Sequence, residues 1–248
     1  MRAIGVIPAR YESTRLPGKP ISDICGKPMI WWVYQQAKKV SELDAVYIAT
    51  DDSRIMDVCG EYGLDAILTS KDNKTHLNRV YEVSQKIDAD LYVVICGDEP
   101  MVDSKVIEKV IPDESALSEK YVARALMREL TDPAETIDPG NIKISAADNG
   151  DCIYLSRAPI PHPYKTVLVK YHKIVGIECY NKAALEIYVN HEPSKFEKIE
   201  DIALLRFVEN RVVVNFTLAD TDTLSVDTER DLEKVRKIMS ERIARGEI

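Results

Sequence analysis

The chain sets short, wholly apolar runs between longer stretches whose apolar residues recur at helical spacing. Ile4 to Ile7 is β-branched and apolar and stops at Pro8, the pattern of a buried first strand. Ala45 to Thr50, Ala66 to Leu68 and Leu91 to Ile95 repeat that pattern. Between them, Met29 to Val40, Ser53 to Tyr62 and about Asn78 to Ile87 read as helices. Strands alternating with helices predict an α/β, Rossmann-like, mostly parallel sheet with helices on both faces. Ligands of such sheets sit at the carboxyl ends of the strands, where Arg10, Asp51 and Asp98 all fall.

Beyond Pro112 the rhythm changes. Tyr121 to Met127 predicts a strand, and Asn141 to Ser145 with Cys152 to Leu155 predicts a hairpin around Asp148-Asn149-Gly150. The segment from Ser156 to Pro163 carries too many prolines for regular structure. Tyr171 to Tyr180 reads as a strand, Ala183 to Asn190 and Phe196 to Glu209 as helices, and Arg211 to Leu218 as a late strand. Thr228 is placed to cap a final helix from Glu229 to Ile243. No repeat, low-complexity tract or linker divides residues 1–248, which predicts a single domain with a smaller β-rich subregion at about 120–200.

Composition narrows the class without naming a chemistry. With 248 residues, 45% hydrophobic and 30% charged, the chain can bury a substantial core. A formal charge of −8 disfavours a nucleic-acid backbone as the main partner and points to a small anion at any local basic site. The five cysteines are scattered, with no C-x-x-C pair, which argues against a disulfide framework or zinc knuckle. No apolar run is long enough for membrane insertion and no signal peptide opens the chain, so a cytoplasmic protein is expected.

The candidate chemistry begins right after the first strand. Arg10, Arg15 and Lys19 are interleaved with Ser13, Thr14 and Gly18. An arginine fork, an ammonium and glycine amides suit a triphosphate; the alternative is a solvated basic turn. Asp98 follows an apolar strand and Gly97, where a hard cation would bridge it to a phosphate. Asp227 ends the stretch Leu224-Ser225-Val226 and is either a second ligand or a helix-start charge. Two such distant acids become one site only if the fold joins them.

Several motifs together resemble the 3-deoxy-manno-octulosonate cytidylyltransferase (CMP-Kdo synthetase) family. They are Ile7 to Pro20, Gly26-Lys27-Pro28-Met29-Ile30, Ile48 to Asp52, Gly97-Asp98-Glu99-Pro100, Tyr154 to Pro161, His172 before Gly176-Ile177, Glu192-Pro193-Ser194 and Val226-Asp227-Thr228. The resemblance spans nearly the whole chain. It implies a sheet of the nucleotide-diphospho-sugar transferase type, CTP as nucleotide, a small anionic sugar acid as acceptor and a homodimer through the middle region. It further implies that Arg10, Arg15 and Lys19 hold the triphosphate and that Asp98 and Asp227 hold Mg2+. On the acceptor side it points to Arg79, Arg157, His172 and Cys96.

The departures lie on the acceptor side. Where the family usually has Ser-Gly-Thr-Asp/Glu-Arg, this chain has Thr75-His76-Leu77-Asn78-Arg79, and Cys96 replaces a usual glutamine. Ala203-Leu204-Leu205-Arg206 replaces Glu-Gln-Leu-Arg. A pocket that discriminates by hydrogen bonds loses its preference when those partners vanish, so an amino-modified sugar acid or a phosphonate stays open as acceptor. A nucleotide-binding relative without catalysis stays open too. For His172 the competing role is a partnered strand residue, for Arg157 a loop salt bridge, for His76 an exposed loop side chain, and for Trp31 and Trp32 core packing. Nothing beside Cys96 suggests an activated thiolate.

Overall fold

The computed structural model describes every residue except Thr14, Val167 and Leu168; the Thr14 of the basic loop therefore lies outside the described residues. The first half runs β1 (Ala3–Ala9), a small hairpin of β2 (Asp23–Ile24) and β3 (Lys27–Pro28), α1 (Met29–Ala37), β4 (Ala45–Thr50), α2 (Ser53–Tyr62), β5 (Ala66–Leu68), α3 (His76–Lys86), β6 (Leu91–Ile95) and α4 (Ser104–Glu108). The second half adds β7 (Ala123–Glu129), α5 (Pro133–Ile137), β8 (Lys143–Ala146), β9 (Cys152–Ser156), β10 (His172–Tyr180), α6 (Lys182–Asn190), α7 (Lys195–Glu200), α8 (Leu205–Glu209), β11 (Asn215–Leu218) and α9 (Glu229–Ala244).

One sheet carries both halves, in the order β11-β7-β10-β6-β1-β4-β5, with β8 on β10 and β9 on β8. β1 pairs in parallel with β4 and β6, β4 with β5, and β11 with β7. β10 alone on this path runs antiparallel to both neighbours, β6 and β7, so the path is mostly parallel with one reversed strand, and β9 at the flank runs in the same reversed sense. β8 and β9 form the expected hairpin, with Gly150 at φ 88° in its turn. Two apolar layers cover the faces, one including Ile7, Ile30, Ile48 and Ile95, the other Ile4, Val80, Tyr92 and Phe207.

Two elements differ from the sequence expectation for local reasons. The helix expected over Phe196 to Glu209 is two helices, because Asp201 caps α7 in the left-handed region at φ 53°, where an L-residue cannot continue the coil. The late strand starts at Asn215 rather than Arg211, since Arg211 has φ 59° and closes the turn after α8.

Three contacts position the site. Gly18, at φ 70°, donates its N–H to Tyr11 O at 2.8 Å and folds the basic loop back beneath β1. Val226 N–H donates to Asp98 O at 2.8 Å, which lays the segment before α9 along the end of β6. Leu16, Met101, Val226, Leu232 and Val235 then pack in a third apolar cluster that docks α9 on the basic loop. Burial of that cluster, at roughly 25 cal/mol per Å² of apolar surface, is what holds residues so far apart in the chain together.

Candidate active site

Lys19 is the point of convergence. Its Nζ donates to Asp98 Oδ2 at 2.8 Å and to Asp227 Oδ1 at 3.2 Å, and Arg15 meets the same Asp227 oxygen at 3.0 Å. Burial alone would lower the lysine pKa, but the two carboxylates outweigh it and leave the ammonium more firmly protonated than usual. The ammonium and two carboxylates meet although Asp98 is 79 and Asp227 is 208 residues from Lys19 in the chain.

Two cavities adjoin this cluster. One, of about 540 Å³, opens between the loop after β1 and the start of α3, and Arg10, Ser13, Arg15, Lys19, Thr75, His76, Cys96, Gly97 and Asp98 line it. The other, of about 710 Å³, lies on the side of β10 and α9, with Glu99, Arg128, Asn141, Lys173, Ile174, Thr223 and Asp227 in its wall. Arg15, Cys96 and Asp98 belong to both. A third cavity of about 530 Å³, between α1, α4 and α9, shares no lining residue with these two.

On the first side, charges answer one another. Arg10 has its pKa lowered by burial and by the nearby Arg79, against the pull of Asp51. It forms no ion pair among the described residues. Arg79 is wholly buried, with one terminal nitrogen on Asp51 Oδ2 at 2.8 Å and the other on Thr69 Oγ1. It lines neither cavity, so the expectation that it binds substrate gives way to a structural role: it fixes Asp51 at the end of β4. His76 is held as well. Its Nε2 lies 3.1 Å from Glu178 Oε2, and Tyr180 OH donates to the same oxygen at 2.9 Å.

Glu178 was not singled out from the sequence. The available signal was an acid inside the apolar run Ile177-Glu178-Cys179-Tyr180, and its partner is the histidine that stands where the family usually has glycine.

On the second side, the sequence placed its candidates one step away from the cavity. His172 opens β10 at its far end and lines neither cavity, whereas Lys173 and Ile174, which follow it, line the larger one. Arg157 lines neither cavity. Its Nε donates to Glu200 O at 2.6 Å, and its terminal nitrogens donate to Pro139 O at 2.8 Å and Asp201 O at 2.9 Å. A guanidinium so occupied braces the Pro-rich segment instead of forking onto an acceptor. Arg206, in the altered helix, is likewise structural, paired in the interior with Glu197 through an Nε–Oε2 contact of 2.7 Å.

Cys96 lies at the seam of the two cavities. Burial first, then Asp98 and Glu178, push its thiol well above the ordinary range, so it is no thiolate. The seam is tight: a Cβ at Gly176 would stand 2.8 Å from Cys96 Cβ and 2.8 Å from Glu99 Oε1. Gly176 N–H donates to Glu99 Oε1 at 3.0 Å, and Cys96 N–H donates to Gly176 O at 2.8 Å. Only glycine lets β10 approach β6 this closely.

No group of three or more His, Cys, Asp or Glu side chains suited to a metal occurs among the described residues. Asp98 and Asp227 are two carboxylates on one cation. That set fits an ion that takes one or two carboxylates and completes its shell with water and substrate phosphate oxygens.

Comparison with known proteins agrees with the geometry. The cytidylyltransferase family model matches residues 4–216. A 3-deoxy-manno-octulosonate cytidylyltransferase from Acidobacterium capsulatum is 37% identical over 243 residues, covering 98% of each chain. The Escherichia coli protein of that name is 37% identical over 247 residues, also covering 98% of each. A solved CMP:2-keto-3-deoxy-manno-octonic acid synthetase complexed with CTP superposes with a TM-score of 0.91 at 35% identity, over 98% of this chain and 100% of that one. A cytidylyltransferase from Leptospira borgpetersenii, 16% identical with a TM-score of 0.63, shares the fold. Sheet, basic loop and homology over nearly the full length lead to one conclusion: this chain belongs to the cytidylyltransferase family.

Proposed function

We propose that the protein transfers CMP from CTP to a 3-deoxy-2-keto sugar acid, Kdo or a relative, with release of pyrophosphate. The observation that carries this reading is the meeting of Lys19 with Asp98 and Asp227 between two cavities, one for a nucleotide and one for an acceptor. The relatives' names supply the nucleotide and the acid.

In this reading Arg10, Arg15 and Lys19 take the triphosphate oxygens. Lys19 and Arg15 then turn from Asp98 and Asp227 to the charge that builds on the leaving pyrophosphate. Asp98 and Asp227 hold Mg2+, which when bound neutralises phosphate charge at the reacting centre. The paired cavities set the acceptor hydroxyl and the α-phosphorus in line, so that positioning and charge neutralisation supply most of the rate. As the acceptor oxygen forms its bond to the α-phosphorus its proton passes to solvent, and the bond to pyrophosphate breaks with the electron pair staying on the pyrophosphate oxygen.

A homodimer through about residues 120–200 belongs to the same proposal. Exposed Ile137, Ile153, Tyr164, Phe196 and Ile199 of that stretch support it, and sedimentation tests it. Among the described residues no helix is long and apolar enough to cross a membrane.

The test of the activity is pyrophosphate release from a panel of nucleoside triphosphates with sugar acids and phosphonates, with and without Mg2+, and with Lys19→Ala as control. Release that needs CTP, Mg2+ and Kdo is expected. Turnover with a phosphonate or amino sugar acid alone would move the acceptor, and nucleotide binding without turnover across the panel would overturn the enzyme.

A further inference from the structure

One cation in the wall of the larger cavity, Lys173, has no carboxylate within hydrogen-bonding distance. Lys173 on β10 stands directly opposite Arg128 on β7 and Lys143 on β8, so three cations form a cross-strand row on one face of the sheet. Like charges directly opposite one another repel, and such a row needs counterions. Lys143 is buried and satisfied by the carbonyls of Asp138 and Asn141, at 2.8 and 2.6 Å. Arg128 takes both oxygens of Glu135, at 2.8 and 2.9 Å. Lys173 is left with the neutral amide oxygen of Asn141 at 2.8 Å, and Glu135 comes no closer than 3.9 Å. Burial and Arg128 together lower its pKa, although Glu135, Glu99 and Asp138 all face it.

A second observation concerns the same wall. Four buried side-chain polar atoms have no hydrogen-bond partner among the described residues, and three of them, Glu99 Oε2, Arg128 Nε and Thr223 Oγ1, belong to residues lining this cavity. Glu99 and Thr223 face each other without a bond of acceptable geometry. Unpaired buried polar atoms are costly, and their clustering marks a surface completed by a polar ligand.

We infer that Lys173 is the anchor for the acceptor's carboxylate, since neither Arg157 nor His172, the acceptor-side candidates of the sequence, lines this cavity. The identity of the acid rests on the cytidylyltransferase reading; the assignment of the anion to Lys173 rests on the row of cations and the unpaired atoms around it. Of the two members of the row without a contacting carboxylate, Lys143 is buried on main-chain carbonyls and only Lys173 lines the cavity, so the anion neutralises Lys173 in the cavity that shares Asp98 with the nucleotide side.

Calorimetric titration of Kdo and of its uncharged carboxamide into the full-length protein with a non-hydrolysable CTP analogue tests this directly. Lys173→Met and Lys173→Gln should weaken Kdo binding about tenfold or more and leave carboxamide binding within about twofold, while Lys173→Arg restores most of the loss. An equal effect on acid and amide, an unchanged affinity for Kdo, no binding of Kdo to the natural protein, or a loss confined to the CTP analogue would each overturn the assignment. Kdo that binds through Lys173 without releasing pyrophosphate would instead overturn the activity. Turnover that Lys173→Met leaves intact would sink the inference alone.

Discussion

The two cavities that meet at Asp98 are built on opposite principles. On the nucleotide side, most charged groups are already answered, Lys19 by two aspartates, Arg15 by Asp227 and His76 by Glu178, while Arg10 forms no ion pair among the described residues. On the acceptor side, Lys173 lacks a contacting carboxylate and three buried polar atoms go unpaired. The contrast shows two ways to prepare for an anion. Cations held by protein partners beforehand keep the loop ordered, and an anion that binds there has to displace those partners. A smaller acid instead fills a wall left incomplete, and selectivity follows because a wrong ligand leaves the buried groups unmatched.

The largest test of the comparison is on the nucleotide side. Lys19→Ala should reduce kcat for pyrophosphate release by about 10³-fold or more with little change in Tm, because the ammonium acts on charge that develops at the reacting phosphate. A variant that keeps near-normal turnover would remove the distinction between the two sides. Next is Arg206, whose buried pairing with Glu197 is fully satisfied. Arg206→Ala should cost about 3–5 kcal/mol in denaturant unfolding, since it strands a buried carboxylate. A selective loss of acceptor affinity without that destabilisation would place Arg206 in the site after all.

Arg157→Ala sharpens the acceptor side. The lost hydrogen bonds to Glu200, Pro139 and Asp201 carbonyls should lower stability by about 1–3 kcal/mol, with acceptor KM within about threefold of normal. A tenfold rise in KM at unchanged stability would return the carboxylate to Arg157.

The smallest effect concerns Asp52, the N-cap of α2. Hydrogen bonds from the Arg54 side chain come first among the causes that hold its pKa down to about 2, and the Arg54 backbone N–H adds to them. A depressed carboxylate stabilises the fold above its unfolded pKa, near 4, and that contribution is lost as pH falls towards 2. Asp52→Ala should therefore lower stability by about 1 kcal/mol at pH 7, and the gap from the natural protein should close between about pH 4 and pH 2 in thermal melts. A gap that persists at pH 2 would mean that the carboxylate's charge is not what stabilises the helix.

Strands β1, β4 and β6 and helix α2 were legible because a strand in the middle of a covered sheet must be largely apolar, and an amphipathic helix must repeat; β5, at the sheet edge, was legible only as a short apolar run. Lys19 and Asp98 stood out from the basic loop and the strand end that they occupy, whereas Asp227 read equally as a helix-start charge until the fold brought it to Lys19. What stayed hidden depended on side-chain direction and on cross-strand register. His172 and Lys173 are neighbours in sequence, yet of the two only Lys173 lines the cavity, together with Ile174, Val175 and Gly176 further along β10. The charge on Arg157 was visible, but its three main-chain acceptors come from segments that only folding brings near.

The sequence by itself determined the alternating architecture, the basic loop after the first strand and the acids that could serve it, since local pattern and strand position are written residue by residue. The tertiary structure alone decided which cations already meet a carboxylate and which do not. Those pairings join β7, β8 and β10 across the sheet, and the energy of a charge depends on its three-dimensional neighbours and on how far it stands from water.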